Sequence, residues 1–504
     1  MATTWDRRVL TLGLVMGCAL FFLWPALLNR FPFLFFDSAA YLKGGQAFFQ
    51  AILPTPSIEP AAAVHSSVQQ TTFIRGNGVT DARSVYYGVF AQFWNLILGV
   101  WGIAFAQALL AATSLVLALH RFGVRRLALQ GAVIVGVGLL TALPLFTSLV
   151  MPDFMAGLMV LAISCLASRQ AEMGTLEKLY WTAIIITSAL FHKSLLLVLL
   201  LLIALIFFFG LARRPRLGAA IWLGCSALAA VAGTMLFYPI VERVMKDPVV
   251  RTPFLLGRML EDGTADKILK ADCPGAGYRS CMFVPELPIT ANEFLWGKTV
   301  GAVPGQPSGG FTNLGLTDRL AISADQRPII IQVLKREPVA QVTRSTENFL
   351  SQLATLDLKR LEPLDRPDRN LHPKSDLYRI TTAVSPKAIE GFSASRIWDH
   401  EFPLSQLSAL NTATYYFSAF GLGALAILGR RRISAAGSQY LWEFYVIILM
   451  GVVLNGAVCG VFSGPIGRYQ ARLAWLPLFA VAIFLCQRWS RRLPSRADTL
   501  PTGP

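Results

Sequence analysis

Charged side chains are scarce in this chain: Asp, Glu, Lys and Arg together make up 15% of its 504 residues, against 54% hydrophobic residues. An ordinary soluble domain carries about 25% charged residues, so this composition excludes a single water-covered globule and points to an all-α polytopic membrane protein. Also missing are the signatures of soluble nucleotide-using or hydrolytic sites. There is no Gly-rich phosphate loop with its Lys, no HExxH, no GxSxG and no zinc-type cysteine quartet. The chain has no internal repeat, no low-complexity tract and no matched pair of interrupted spans of the kind that points to a transporter. Ionisable residues are almost absent from its long apolar runs, which counts against a non-enzymatic transporter or scaffold.

What is abundant is apolar sequence, with a mean hydropathy of +0.53. Runs of roughly 17–25 residues suit a bilayer crossing. They predict spans near Val9–Asn29, Gly99–Leu119, Gln130–Val150, Phe154–Ser168, Tyr180–Phe191, Ser194–Leu211, Leu217–Tyr238, Asn411–Gly429, Tyr440–Phe462 and Leu473–Gln487, about ten in all. The first follows Arg7 and Arg8, is long for a signal-peptide core and has no small-residue cleavage site before Arg30, so it reads as an uncleaved anchor. The expected organisation is an N-terminal transmembrane module, 1–239, with a first outer loop at 30–98. An outer, periplasmic loop subdomain follows at 240–410, then C-terminal transmembrane helices and a basic tail at 411–504.

The formal charge is +16. Its cations cluster in "HRFGVRR" (His120–Arg126), at Arg213, Arg214 and Arg216, in "GRRR" (Gly429–Arg432) and in "QRWSRR" (Gln487–Arg492). In a ten-span chain all of these fall on one side together with Arg7 and Arg8. Cations flanking spans are retained in the cytoplasm, which puts both termini inside; the expected location is a bacterial inner membrane. The charge then needs no nucleic acid to explain it. The opposite face receives the first loop, turns at "MPD" (Met151–Asp153) and "FHKS" (Phe191–Ser194), the large loop and "SGPIGRYQAR" (Ser463–Arg472). Stretches such as "RPIIIQVLKREP" (Arg327–Pro338) and "RSTENFLSQLATL" (Arg344–Leu356) predict short amphipathic helices in the large loop. Cys273 and Cys281 are the only cysteines of that loop, and an oxidising compartment permits a disulfide between them; free thiols or a metal pair are the other readings.

Three motifs carry a resemblance. "FPFLFFDSAAYL" after the first span, "MPD" after the third and "SGPIGRYQARLAWLPL" leading into the last resemble the pattern of the GT-C glycosyltransferases, a superfamily that includes protein O-mannosyltransferases, lipid A aminoarabinose transferases and oligosaccharyltransferases. The resemblance implies a GT-C-like fold, a sugar donor carried on a polyprenyl phosphate, and a catalytic carboxylate in the first outer loop, a place that Asp37 occupies. Asp153 matches the second acidic motif. "RSVYYGVFAQFWNLIL" (Arg83–Leu98) suits the membrane-surface helix implied for that loop. Ser38 stands where the pattern has a second carboxylate, which leaves a divalent metal an open question.

The residues allow the same chemistry. Transfer from a lipid phosphate expels a good leaving group, so one carboxylate suffices as general base, with cations to hold the developing phosphate charge. Asp37 is the candidate base, with a solvated span-end charge as the alternative. Asp153 is either a second catalytic group, a metal ligand or a cap for the following helix. Arg468 and Arg472 are candidate donor-phosphate ligands or membrane anchors. His192 and Lys193 add to that site or form a polar turn between two spans. Tyr41, Arg83, Tyr86 and Tyr87 are candidates for the substrate cavity. The acceptor would be a glycan, a lipid or a protein, with membrane lipid as a further partner. A polysaccharide polymerase or ligase using the large loop, around Arg327 or His400, is the competing enzyme class.

Overall fold

The computed structural model describes residues 4–52, 78–211, 217–297, 310–361, 378, 381–382, 385–434 and 439–492. The basic cluster Arg213, Arg214 and Arg216 lies outside them. The N-terminal half runs through α1 (Thr4–Phe21), α2 (Trp24–Leu28), α3 (Phe36–Ile52), α4 (Val85–Arg121), α5 (Leu127–Leu140), α6 (Leu143–Ser148), α7 (Met155–Arg169), α8 (Thr175–Phe191), α9 (Lys193–Phe208) and α10 (Leu217–Met245). Then come α11 (Phe254–Glu261), α12 (Thr264–Asp272), α13 (Ala291–Trp296), α14 (Leu316–Arg336) and α15 (Pro338–Ala354). The chain closes with α16 (Pro386–Ser393), α17 (Leu404–Ser434), α18 (Gln439–Phe462), α19 (Gly467–Ala471) and α20 (Trp475–Arg492). The only sheet among the described residues is the parallel pair β1 (Val79–Thr80) and β2 (Val249–Val250).

Among the described residues, six helical stretches are long and apolar enough to cross a membrane: Val9–Leu28, Val85–Arg121, Pro152–Glu172, Leu217–Met245, Tyr440–Phe462 and Gly467–Trp489. Two shorter apolar helices, Leu127–Leu140 and Lys193–Phe208, stand beside them. The chain is therefore an all-α membrane-embedded protein. One expected span is corrected: Gln130–Val150 is not continuous. Thr141 takes an extended conformation (φ −133°, ψ 166°), and Pro144 opens the next helix, where its fixed φ and missing N–H are tolerated. Asn411 accepts the freed backbone N–H of Ala142 at 2.9 Å.

The helix α4 is bent at Leu98 and Gly99, where Gly99 has φ 63° and ψ −160°. Only glycine occupies that region without strain. The bend falls where the aromatic surface-helix pattern gives way to the second apolar run. The hydrophobic core of the bundle centres on α7, whose residues from Met155 to Ser168 are all buried. A second core, running from Val250 to Val333, lies within the 240–410 segment. Cys273 and Cys281 are disulfide-bonded in that segment, with their Cα atoms 5.6 Å apart.

The pairing of α3 with α4 is backbone to backbone. A Cβ added at Gly45 would overlap the Gly88 carbonyl oxygen, and one added at Gly88 would meet the Tyr41 carbonyl oxygen at 2.6 Å. Neither clash involves a side chain that could turn away. Gly45→Ala is thus expected to force the helices apart and destabilise by about 1–3 kcal/mol, the usual range for overpacking. A lowered melting temperature in detergent is the readout; an unchanged one would show that the helices are not in backbone contact.

Candidate functional site

The site is assembled from five separate parts of the chain. Its first part is the start of α3. Phe33 forms a parallel bridge to the segment before Asp153, donating its N–H to the Ser148 carbonyl at 2.9 Å and accepting the Val150 N–H at 3.0 Å. Ser38 continues that seam. Its hydroxyl accepts the Phe35 N–H at 2.9 Å and donates to the Val150 carbonyl at 2.8 Å. The residue standing in place of a second carboxylate therefore caps a helix and ties two loops together.

Asp37 lies in the first turn of α3, where unpaired backbone N–H groups favour a negative charge. Its Oδ1 is ion-paired with Arg83, and its Oδ2 faces Arg468 Nη2 at 3.4 Å. Arg83 is placed by the start of α4, where Ser84 caps the helix and donates to the Leu190 carbonyl at 2.6 Å. Its guanidinium also lies over the Trp296 ring, 5.3 Å from the centroid. Arg468 is sandwiched between aromatic rings, 4.7 Å from the Phe35 centroid and 5.3 Å from that of Tyr469. Burial would push the Asp37 carboxyl up, but the Arg83 and Arg468 guanidinium groups outweigh it and hold the acid below its usual 3.8.

Asp153 and Arg472 form a second pair at 3.3 Å, and neither side chain has any exposed surface. Arg472 also donates to Asn455 Oδ1 at 2.9 Å. Capping by Asp153 is set aside: it sits in a 3-10 turn (Pro152–Phe154), the N-cap position of α7 is Phe154, and the one hydrogen bond of the Asp153 carboxylate among the described residues is from Arg472. Asp153 Oδ2 and Arg472 Nε have no hydrogen-bond partner among the described residues. Arg468 and Arg472 are four residues apart, yet they take different carboxylates.

His192 bonds Ser194 at 2.9 Å at the α8–α9 turn. Burial, reinforced by the guanidinium groups of Arg472, Arg468 and Arg83, pushes it well below 6.5. The ring is neutral at pH 7 and is not one of the cations of this cluster. Lys193 is ion-paired with Asp81, a 3% exposed carboxylate that also accepts the Tyr238 hydroxyl at 2.9 Å and the Thr252 N–H at 2.8 Å.

The candidate cavity residues separate. Tyr41 lies against Tyr87, edge to face at 4.8 Å, and burial pushes its phenol well above 10. Tyr87 is a fully buried core side chain whose hydroxyl donates to Gln107 Oε1 at 2.8 Å; Gln107 in turn donates to the Thr147 and Leu149 carbonyls. Tyr86 points the other way and donates to the Gly233 carbonyl at 2.7 Å. Arg327 and His400 are both exposed. No protein-family model, curated protein or solved structure matches this chain.

Geometry alone thus brings Asp37, Arg83, Arg468, Asp153, Arg472 and His192 into one electrostatic neighbourhood. Sequence reading did not single out Asp81, Asn455, Gln107 or Gln352. Gln352 pairs twice with the backbone of Ile466, donating to its carbonyl and accepting its N–H, both at 2.9 Å. It thereby fixes the entry to α19 and the position of Arg468. No three His, Cys, Asp or Glu side chains come together among the described residues, and both oxygens of Asp37 already face guanidinium groups. That donor set does not fit a divalent metal, and no chemical step is routed through one.

Proposed function

We propose that this protein is a GT-C-like membrane glycosyltransferase that moves a sugar from a polyprenyl-phosphate donor to an envelope glycan, lipid or protein acceptor. In this reading the chain crosses a bacterial inner membrane ten times, with both termini cytoplasmic, and works at the outer face. The observation that carries the proposal is a single ionised carboxylate, Asp37, bracketed by Arg83 and Arg468 beside apolar helices. An acid that accepts a proton and two cations that accept a phosphate are the two halves of this reaction.

The donor phosphate takes the guanidinium groups of Arg468 and Arg83, which bind phosphate in forked geometry and stay charged. Asp37 loses its ion pairs as they engage the phosphate, and its basicity rises. The acceptor hydroxyl gives its proton to Asp37 as its oxygen bonds the anomeric carbon. The bond from that carbon to the phosphate oxygen breaks, and its electron pair stays on the phosphate, facing the two cations. Asp37 then returns its proton to water. Arg472, buried against Asp153, acts as a support for this arrangement rather than a ligand. Arg327 and His400 are exposed and lie outside this cluster, so the loop-based polymerase or ligase reading gains no support from them.

The test is transfer from a polyprenyl-phosphate sugar in proteoliposomes. Arg468→Ala should raise the donor KM by tenfold or more, as expected for a lost charge-assisted contact worth about 1.5–3 kcal/mol. Lys should restore only part of it, because the fork is lost. Unchanged donor saturation would make Arg468 an anchor.

A further inference from the structure

The large loop contains a helix that does not behave as part of a water-facing subdomain. On α15 the side chains of Val339, Val342 and Leu350 are 78%, 65% and 58% exposed. Their spacing places them along one side of the helix, with Glu347 at its edge and Arg344 on the opposite side. A stripe of this kind either meets another surface or is left in water at a free-energy cost.

The neighbours of α15 indicate which surface that is. The helix packs along the end of α18, a membrane-span candidate, where a Cβ at Gly456 would meet Leu353 at 2.6 Å and one at Gly460 would meet the Asn348 carbonyl at 2.6 Å. Gly456 precedes the end of α18 by six residues, about 9 Å at 1.5 Å per residue. Tyr416 of α17 donates to the carbonyl of Ala354, the last residue of α15, at 3.0 Å. The same stretch of α17 exposes Phe417 and Phe420, at 84% and 81%. α17 carries the expected span Asn411–Gly429, where bare aromatic side chains suit a lipid-facing surface. The last turn of α15 is level with these aromatics and continues their surface.

We propose that α15 dips its C-terminal half, Leu350 foremost, into the lipid leaflet surrounding the Phe462 end of α18, with Arg344 toward water. The occupant of this side is lipid, not a second protein, because the surface it extends is the lipid-facing one. Contacts of Leu353 with Gly456 and of Asn348 with Gly460 make the two helices antiparallel, so depth falls steadily toward Pro338. Leu350 lies about 5 Å along the axis from Leu353, and Val342 about 16 Å. Binding of this kind scales with buried apolar area. It would also bear on the Arg468 segment, since Gln352 of the same helix holds Ile466.

The experiment uses the full-length protein with Cys225→Ser, carrying Leu350→Cys, Val342→Cys or Arg344→Cys singly, each labelled with bimane. The labelled proteins are placed in phosphatidylcholine vesicles containing acyl-chain doxyl lipid. The positions are surface ones, and each variant is checked by melting temperature. Quenching should be strongest at 350, intermediate at 342 and weakest at 344, with several-fold separation between the extremes, while aqueous iodide gives the reverse order. Equal lipid quenching at 350 and 344, or protection of 350 and 342 from both quenchers, would overturn the proposal; the second result would mean that protein covers this side. Neither outcome depends on sugar transfer.

Discussion

Replacing Asp37 by Asn is expected to lower sugar transfer by about 10²–10⁴-fold, the range typical of a lost general base, while the protein still folds and binds donor. The amide keeps the size of the acid and an oxygen for Arg83, but it cannot take the acceptor's proton. It also removes the negative charge that competes with the donor phosphate for Arg83 and Arg468, so donor affinity should hold or rise as turnover falls. That split between binding and turnover separates a chemical role from a structural one. The same carboxyl leaves a mark on the acid side of stability. Its folded pKa lies below the unfolded value, so its contribution is fully present above about pH 4 and is lost as the pH falls through the folded value. Asp37→Asn should remove that part of the acid dependence. Near wild-type turnover in Asp37→Asn would move the base to Asp153 or into the large loop.

The second large effect is on stability. Arg472→Met is expected to leave Asp153 fully buried and without its cation, and breaking such a pair from one side costs about 3–5 kcal/mol. The double variant Asp153→Leu/Arg472→Met should recover much of that loss, since no charge is then left stranded. A double-mutant cycle on melting temperature and on the yield of folded protein in detergent makes the comparison. Single and double variants that melt alike would show that the pair contributes nothing to the fold.

The parts of this structure legible in the sequence are those governed by local patterns. Each of the ten apolar stretches contains helix, six helical stretches among the described residues being long and apolar enough to cross a membrane, and the end of an aromatic run at Leu98 coincides with the bend at Leu98 and Gly99. The broken stretch at Thr141 was misread because hydropathy averages over a window and gives little weight to one extended residue before Leu143 and Pro144. Asp37 was visible as a charge beside an apolar run. Its partner Arg83 was read as a cavity residue, because nothing local says that a side chain 46 positions away will pair with it. Asn455, Gln107 and Gln352 were missed for the same reason. Each is a neutral amide whose role is defined by backbone or side-chain groups brought in by distant packing, and a neutral amide in a helix carries no periodic signal.

The Asp153–Arg472 pair joins residues 319 positions apart. At about 5–20 residues per second, a ribosome takes roughly 15–65 s to make the second after the first. For that interval the nascent chain carries an acidic group at the head of α7 whose eventual counter-ion has not yet been synthesised. Biogenesis therefore passes through a stage in which this carboxylate must stay hydrated, protonated or held by an insertion factor. Chains released before Arg472 emerges would carry that unpaired acid permanently.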